Sequence, residues 1–97
     1  MFEITQTASN LIEDGSYKLG KKDGTWKYYA GNGPLIRESN YSEGLRNGKE
    51  IIYSGNGKEK LKEMTFKENM LHGSMKIYKN GTLEKEEKYQ MGRKIAN

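Results

Sequence analysis

Tyr17, Tyr41, Phe66 and Tyr89 stand 24, 25 and 23 residues apart, and much of the chain keeps step with them. Three positions after each aromatic comes Gly20, Gly44, Asn69 or Gly92, and seven positions after comes Gly24, Gly48, Gly73 or Ala96. Three positions before each is an acid: Asp14, Glu38, Glu63 or Glu86. Asn32-Gly33, Asn56-Gly57 and Asn80-Gly81 recur at a spacing of 24, shortly after Tyr29, Tyr53 and Tyr78. Phe2 and Leu11 keep the separation of Trp26 and Leu35, so the first segment fits as well. A fixed period of this length marks a repeat architecture. The chain divides into four units near residues 1–23, 24–47, 48–72 and 73–97, which together make one domain.

A unit of about 24 residues with two turn signals and two short aromatic or β-branched runs is a β-hairpin. Asn-Gly favours the type I′ turn, in which both central residues take positive φ. Asp23-Gly24, Asn47-Gly48 and His72-Gly73 are then expected to connect one hairpin to the next. Asn69 in place of glycine agrees, because Asn enters the left-handed region more readily than other side chains. The expected fold is all-β: a single-layer antiparallel meander of about four tandem hairpins, or about eight short strands. Equivalent residues lie on every second strand, about 9.5 Å apart. The glycines therefore set turns. Neither GNG stretch, at 31–33 or 55–57, has the third glycine of a dinucleotide-binding loop, and no GxxxxGK[ST] occurs.

Composition supports a folded chain with a thin core. Leu, Ile and Phe contribute sixteen residues and Val none, but seven Tyr, one Trp and five Met add burial area, and the net charge is only +4. Two details resist the scheme. Unit three carries extra residues at Gly57-Lys58-Glu59-Lys60, which a bulge could absorb. Strict alternation also places Lys85 and Glu87 on the face of Leu83 and Tyr89, so either that face is narrow there or their stems cover it while their heads reach water.

The recurring G-x-W-x-x-Y, then N-G-x-L, then E-x-x-Y-x-x-G-x-x-x-G is clearest in GTWKYY (24–29), NGPLIRESNYSEGLRNG (32–48) and NGTLEKEEKYQMG (80–92). It resembles the variant MORN (membrane occupation and recognition nexus) repeat across nearly the whole chain. Unit one is the most degenerate, and Glu50 stands where Trp26 and Met75 stand. The resemblance implies a binding module. Many bacterial proteins of this kind are classed as antitoxin components of toxin–antitoxin systems, which implies a protein partner; the family's name implies membrane surfaces as the alternative.

The residues offer little for catalysis. The single histidine, His72, holds the turn position of Asp23 and Asn47, and the recurring glutamates line up across strands instead of converging on a cleft. With no cysteine, no thiolate site exists. The expectation is a non-enzymatic module with no metal and no cofactor. No stretch approaches the ~18 apolar residues of a membrane-spanning helix, and the N-terminus lacks a secretory signature, so a cytoplasmic location is expected, with export left open. The aromatic row Trp26, Tyr28, Tyr29, Tyr53 and Tyr78 is the expected partner-binding surface, because a single-layer sheet leaves such rings partly accessible and Tyr and Trp dominate protein hot spots. Outer strands offer a route to an edge-paired homodimer. The competing site is the basic group Lys76, Lys79, Lys85, Lys88, Arg93 and Lys94, suited to anionic lipid but diluted by Glu84, Glu86 and Glu87. No aromatic nucleic-acid signature accompanies it, so specific nucleic-acid binding is not expected. Salt dependence separates the two readings, being steep for lipid bound through lysines and shallow for a dry aromatic interface.

Overall fold

Each unit's two short runs become strands because their aromatic and branched side chains suit a pleated surface and the residues between them accept positive φ. The computed structural model describes residues 2–6, 11–31 and 33–95, with the backbone alone for 2–6 and 11; it contains strands and turns and, among the described residues, no helix. The side chains of Phe2 and Leu11, and residues Asn32 and Ala96, fall outside that description. The strands are β1 (Phe2–Gln6), β2 (Leu11–Lys18), β3 (Lys21–Ala30), β4 (Leu35–Ser42), β5 (Leu45–Arg46), β6 (Gly48–Tyr53), β7 (Lys60–Lys67), β8 (Met70–Lys79), β9 (Thr82–Gln90) and β10 (Arg93–Ile95). They form one sheet in the order β1-β2-β3-β4-β6-β7-β8-β9-β10, with β5 also paired to β4. The pairings are antiparallel throughout, so the sheet is an open meander. Its extents are 40 × 33 × 18 Å. Eight inter-strand steps account for about 38 Å and a ten-residue strand for about 33 Å. The 18 Å dimension is a sheet with side chains on both faces.

The chain reverses at Leu19-Gly20, Glu43-Gly44, Glu68-Asn69, Asn80-Gly81 and Met91-Gly92. All ten of these residues have positive φ, from 49° at Glu68 and Met91 to 86° at Gly92. Their flanking residues pair directly, as in Lys18 with Lys21 and Ser42 with Leu45, which is the two-residue type I′ geometry. Asp23-Gly24, Asn47-Gly48 and His72-Gly73 do not connect hairpins as the spacing suggested. Gly24, Gly48 and Gly73 keep positive φ (79°, 107° and 98°) but lie within strands, opposite Tyr41, Phe66 and Tyr89. Between β2 and β3 the register runs from Asp14–Lys27 to Ser16–Asp23, so Gly15 alone faces Gly24, Thr25 and Trp26. Between β7 and β8, Thr65 alone faces three residues in the same way. These glycines absorb surplus residues in bulges. The first three units thus have two left-handed positions four residues apart, and the reversal falls on the earlier one.

Of the Asn-Gly pairs that recur at a spacing of 24, Asn80-Gly81 makes a two-residue turn. Asn56 does not take positive φ. Its Oδ1 accepts hydrogen bonds from Ser54 Oγ (2.6 Å) and the Lys58 amide (2.9 Å) inside a loop closed by the Ser54 amide donating to the Glu59 carbonyl (2.7 Å). Gly33 belongs to another wide loop, in which the Ala30 amide donates to the Pro34 carbonyl (2.9 Å). Unit three's surplus residues go into its wider loop. The bulge at Leu61, between the Ile52–Lys62 and Tyr53–Lys60 pairs, recurs at Ile36 and Glu84 and is a property of the repeat.

Candidate interaction surface

Cross-strand register sorts the side chains into rows, and two faces result. The central row of the first face runs Gly15, Trp26, Ser39, Glu50, Met64, Met75, Glu87, one residue from each strand from β2 to β9 except β5. The cross-strand pairs Trp26–Ser39, Glu50–Met64, Met64–Met75 and Met75–Glu87 link most of it. Trp26 is 2% exposed and Ser39 fully buried. The indole fits because its neighbours are small: an added Cβ on Gly15 would lie 2.1 Å from the ring. Trp26 Nε1 donates to the Ser16 carbonyl (3.0 Å), and Tyr17 (5.2 Å) and Tyr41 (6.4 Å) meet the ring edge-on. Lys22 Nζ sits 4.4 Å from the indole centroid and 5.0 Å from that of Tyr41, and it donates to the Tyr28 hydroxyl (3.2 Å). Burial raises the Tyr28 and Tyr41 hydroxyl pKa values.

The same row holds two carboxylates in core positions. Glu50, 3% exposed, meets Arg37 Nε at 2.9 Å and Arg46 Nη1 at 3.5 Å. Only the Arg37 contact is short enough to be a strong hydrogen bond, since Oε1 on the Arg46 side has no hydrogen-bond partner. Glu87, 7% exposed, meets Lys94 Nζ at 2.8 Å, Lys85 Nζ at 3.2 Å and the Tyr89 hydroxyl at 3.2 Å. Hydrogen bonds from Lys94 and then Lys85 lower its pKa to about 2 and raise that of Lys94. The expectation that a buried face would bury only the stems of Lys85 and Glu87 is corrected for Glu87, whose carboxylate itself is covered because two ammonium groups close over it. Each carboxylate thus carries two cations, one from each flanking row.

One flanking row is Glu13, Tyr28, Arg37, Ile52, Lys62, Ile77, Lys85, every step a cross-strand pair. The other holds Tyr17, Tyr41, Phe66 and Tyr89 with Lys22, Arg46, Leu71 and Lys94 beside them. Arg46 covers the Phe66 ring at 4.1 Å.

The second face is polar and balanced. Its central row alternates Asp14, Lys27, Glu38, Ile51, Glu63, Lys76, Glu86, again pair by pair. Lys27 and Lys76 each stand between two of the recurring acids, which do not converge. Burial alone would raise the Glu63 pKa, but the Lys49 hydrogen bond (3.2 Å) with the charges of Lys60, Lys49 and Lys76 lowers it.

The predicted sites divide accordingly. Trp26 and Tyr28, expected in an accessible row, are core residues at 2% and 5% exposure, because the sheet face supplies its own cover of Lys22, Arg37 and neighbouring rings. Tyr29, Tyr53 and Tyr78 are half-buried, each at the register shift of its own strand. Tyr78 donates to Glu63 Oε1 (3.4 Å) on the second face, and Tyr53 lines a shallow cleft of about 460 Å³ with Tyr28, Ile36, Arg37 and Ile52. The six C-terminal cations do not form one patch. Lys85 and Lys94 hold Glu87 on the first face, Lys76 and Lys88 pair with Glu86 and Ser74 on the second, Lys79 precedes the Asn80 turn and Arg93 follows the Met91 turn. His72 Nδ1 accepts the Met91 amide (3.2 Å). Among the described residues no cluster could hold a metal ion. Of the residues the motif reading passed over, Gly15 and Ser39 were legible through one signal, the position two before each repeat aromatic, which is Gly15, Ser39, Met64 or Glu87, whereas Arg37, Arg46 and Lys62 carry no such signal.

Fold and surface together define an open hairpin-repeat sheet with one aromatic, basic face and one balanced face. No family model, curated protein or solved structure matches the chain, so the likeness to the MORN variant rests on its motifs.

Proposed function

We propose that the protein is a non-enzymatic interaction module whose partner is another protein, bound on the first face of the sheet. The observation that carries this is a sheet face with, among the described residues, no second layer over it, on which the half-buried Tyr17, Arg37, Tyr41, Arg46 and Tyr89 surround the buried Trp26, Tyr28, Met64 and Phe66. Those residue types dominate protein hot spots, and an uncovered sheet face favours a partner of its own kind. Within this reading, the resemblance to the MORN variant suggests an antitoxin that neutralises a toxin by occluding it. The membrane alternative draws less support, because the cations it needs are parcelled among both faces and the turns. The test is affinity capture from host lysate, followed by reconstitution of the captured protein with the purified module. A saturable, stoichiometric complex is expected; recovery of lipid or polyanion alone would overturn the reading.

A further inference from the structure

We infer that the first face takes an acidic polypeptide segment, whose carboxylates complete charge clusters that this chain leaves half neutralised. The inference rests on the proposed protein-binding role and names the chemistry of the partner. On this face six cations, Lys22, Arg37, Arg46, Lys62, Lys85 and Lys94, stand over three carboxylates. Two of those carboxylates, Glu50 and Glu87, are buried beneath the cations that hold them, so what faces outward is positive. Glu50 serves both Arg37 and Arg46, and Glu87 both Lys85 and Lys94; each cluster keeps one uncompensated positive charge. Lys62, half-buried between Ile52 and Ile77, makes no hydrogen bond or ion pair among the described residues. In the middle of the second face four acids, Asp14, Glu38, Glu63 and Glu86, offset Lys27, Lys49, Lys76 and Lys88, while Lys18, Lys21 and Lys67 lie beside its turns.

Spacing argues for polypeptide over nucleic acid. Arg37, Lys62 and Lys85 lie on alternate strands, about 9.5 Å apart, with Ile52 and Ile77 between them. Alternating cations and apolar side chains suit a segment that offers both carboxylates and apolar groups. A nucleic acid strand offers a phosphate about every 3.4 Å along a duplex and no aliphatic partner for the isoleucines.

The test uses fluorescence anisotropy of the whole chain with a labelled random glutamate–tyrosine copolymer, polyglutamate, and an oligo-dT strand of matched charge. Expected is tightest binding to the copolymer, about a tenfold or greater loss in Lys62→Glu, an intermediate loss in Lys62→Met, and less than about a twofold change in the second-face control Lys88→Glu. Lys62→Met keeps the apolar stem and carries the test if Lys62→Glu does not fold. Equal losses in Lys62→Glu and Lys88→Glu, absence of copolymer binding, or tighter binding of oligo-dT would overturn the inference. A reconstituted partner that binds Lys62→Glu as well as wild type would overturn it while leaving the protein-binding role standing. Failure to capture any protein would instead strike the role itself.

Discussion

Gly15→Ala is the substitution that most sharply probes how the sheet is packed. A methyl group there would lie 2.1, 2.3 and 2.5 Å from three atoms of the Trp26 indole. The ring cannot move aside freely, since Nε1 is bonded to the Ser16 carbonyl, Tyr17 and Tyr41 abut its edge, and Lys22 covers its face. Forcing an extra carbon into such a site costs about 1–3 kcal/mol, and losing the indole hydrogen bond adds about 1 kcal/mol. A loss of about 2–4 kcal/mol results, which lowers Tm by roughly 8 °C or more in a domain of this size. Without the indole contact the sign would reverse, because Ala is favoured over Gly in a strand by about 0.5–1 kcal/mol. Urea unfolding followed by the fluorescence of Trp26, the only tryptophan, reads the difference directly. A Gly15→Ala protein as stable as wild type, or more so, would refute the packing argument.

Leu19→Asn should stabilise by about 0.5–1 kcal/mol, since Leu19 holds φ 53° at 95% exposure and Asn accepts that conformation at little cost; a fall in the urea midpoint would contradict this. Gly48→Ala should destabilise by about 1–3 kcal/mol, because φ is 107° and the new Cβ would lie 3.4 Å from Asn40 Cβ; unchanged thermal melting would remove the bulge assignment. Glu87 has a folded pKa of about 2, below its unfolded value, so its contribution is present above about pH 4.5 and lost as pH falls towards 2. Melting curves across that window should show this loss in wild type and a shallower one in Glu87→Gln. Glu50→Met, which installs the residue type of Met75, should cost less than Glu50→Ala, since both leave two guanidinium groups unpaired but only Ala also leaves a void; the reverse order in urea would refute the burial argument.

The sequence carried the repeat, the strand count to within small additions, and the alternation of acids and lysines on the second face, because those depend on period and parity alone. It did not say which of two left-handed positions per unit reverses the chain. Gly20 and Gly24 carry the same conformational signal, and only the register distinguishes a turn from a bulge. Wide loops at Gly33 and Gly57 were hidden for a related reason: Asn-Gly permits a type I′ turn, but Pro34 and the surplus residues after Gly57 change the loop length. The burial of Trp26 depended on Gly15, eleven residues earlier, and on Lys22 folding over the rings, contacts no local pattern encodes. Glu50 and Glu87 broke the apolar pattern of their row, and their cations come from four strands, so the clusters emerge only once the strands are paired.

The central claim is that the first face meets the partner, and site-specific photocrosslinking tests it most directly. Benzoylphenylalanine placed at position 62 on the first face or position 88 on the second, in the complex reconstituted with the captured protein, reports which side is covered. Efficient crosslinking from position 62 and none from position 88 is the predicted result; crosslinking from position 88 alone would contradict the account.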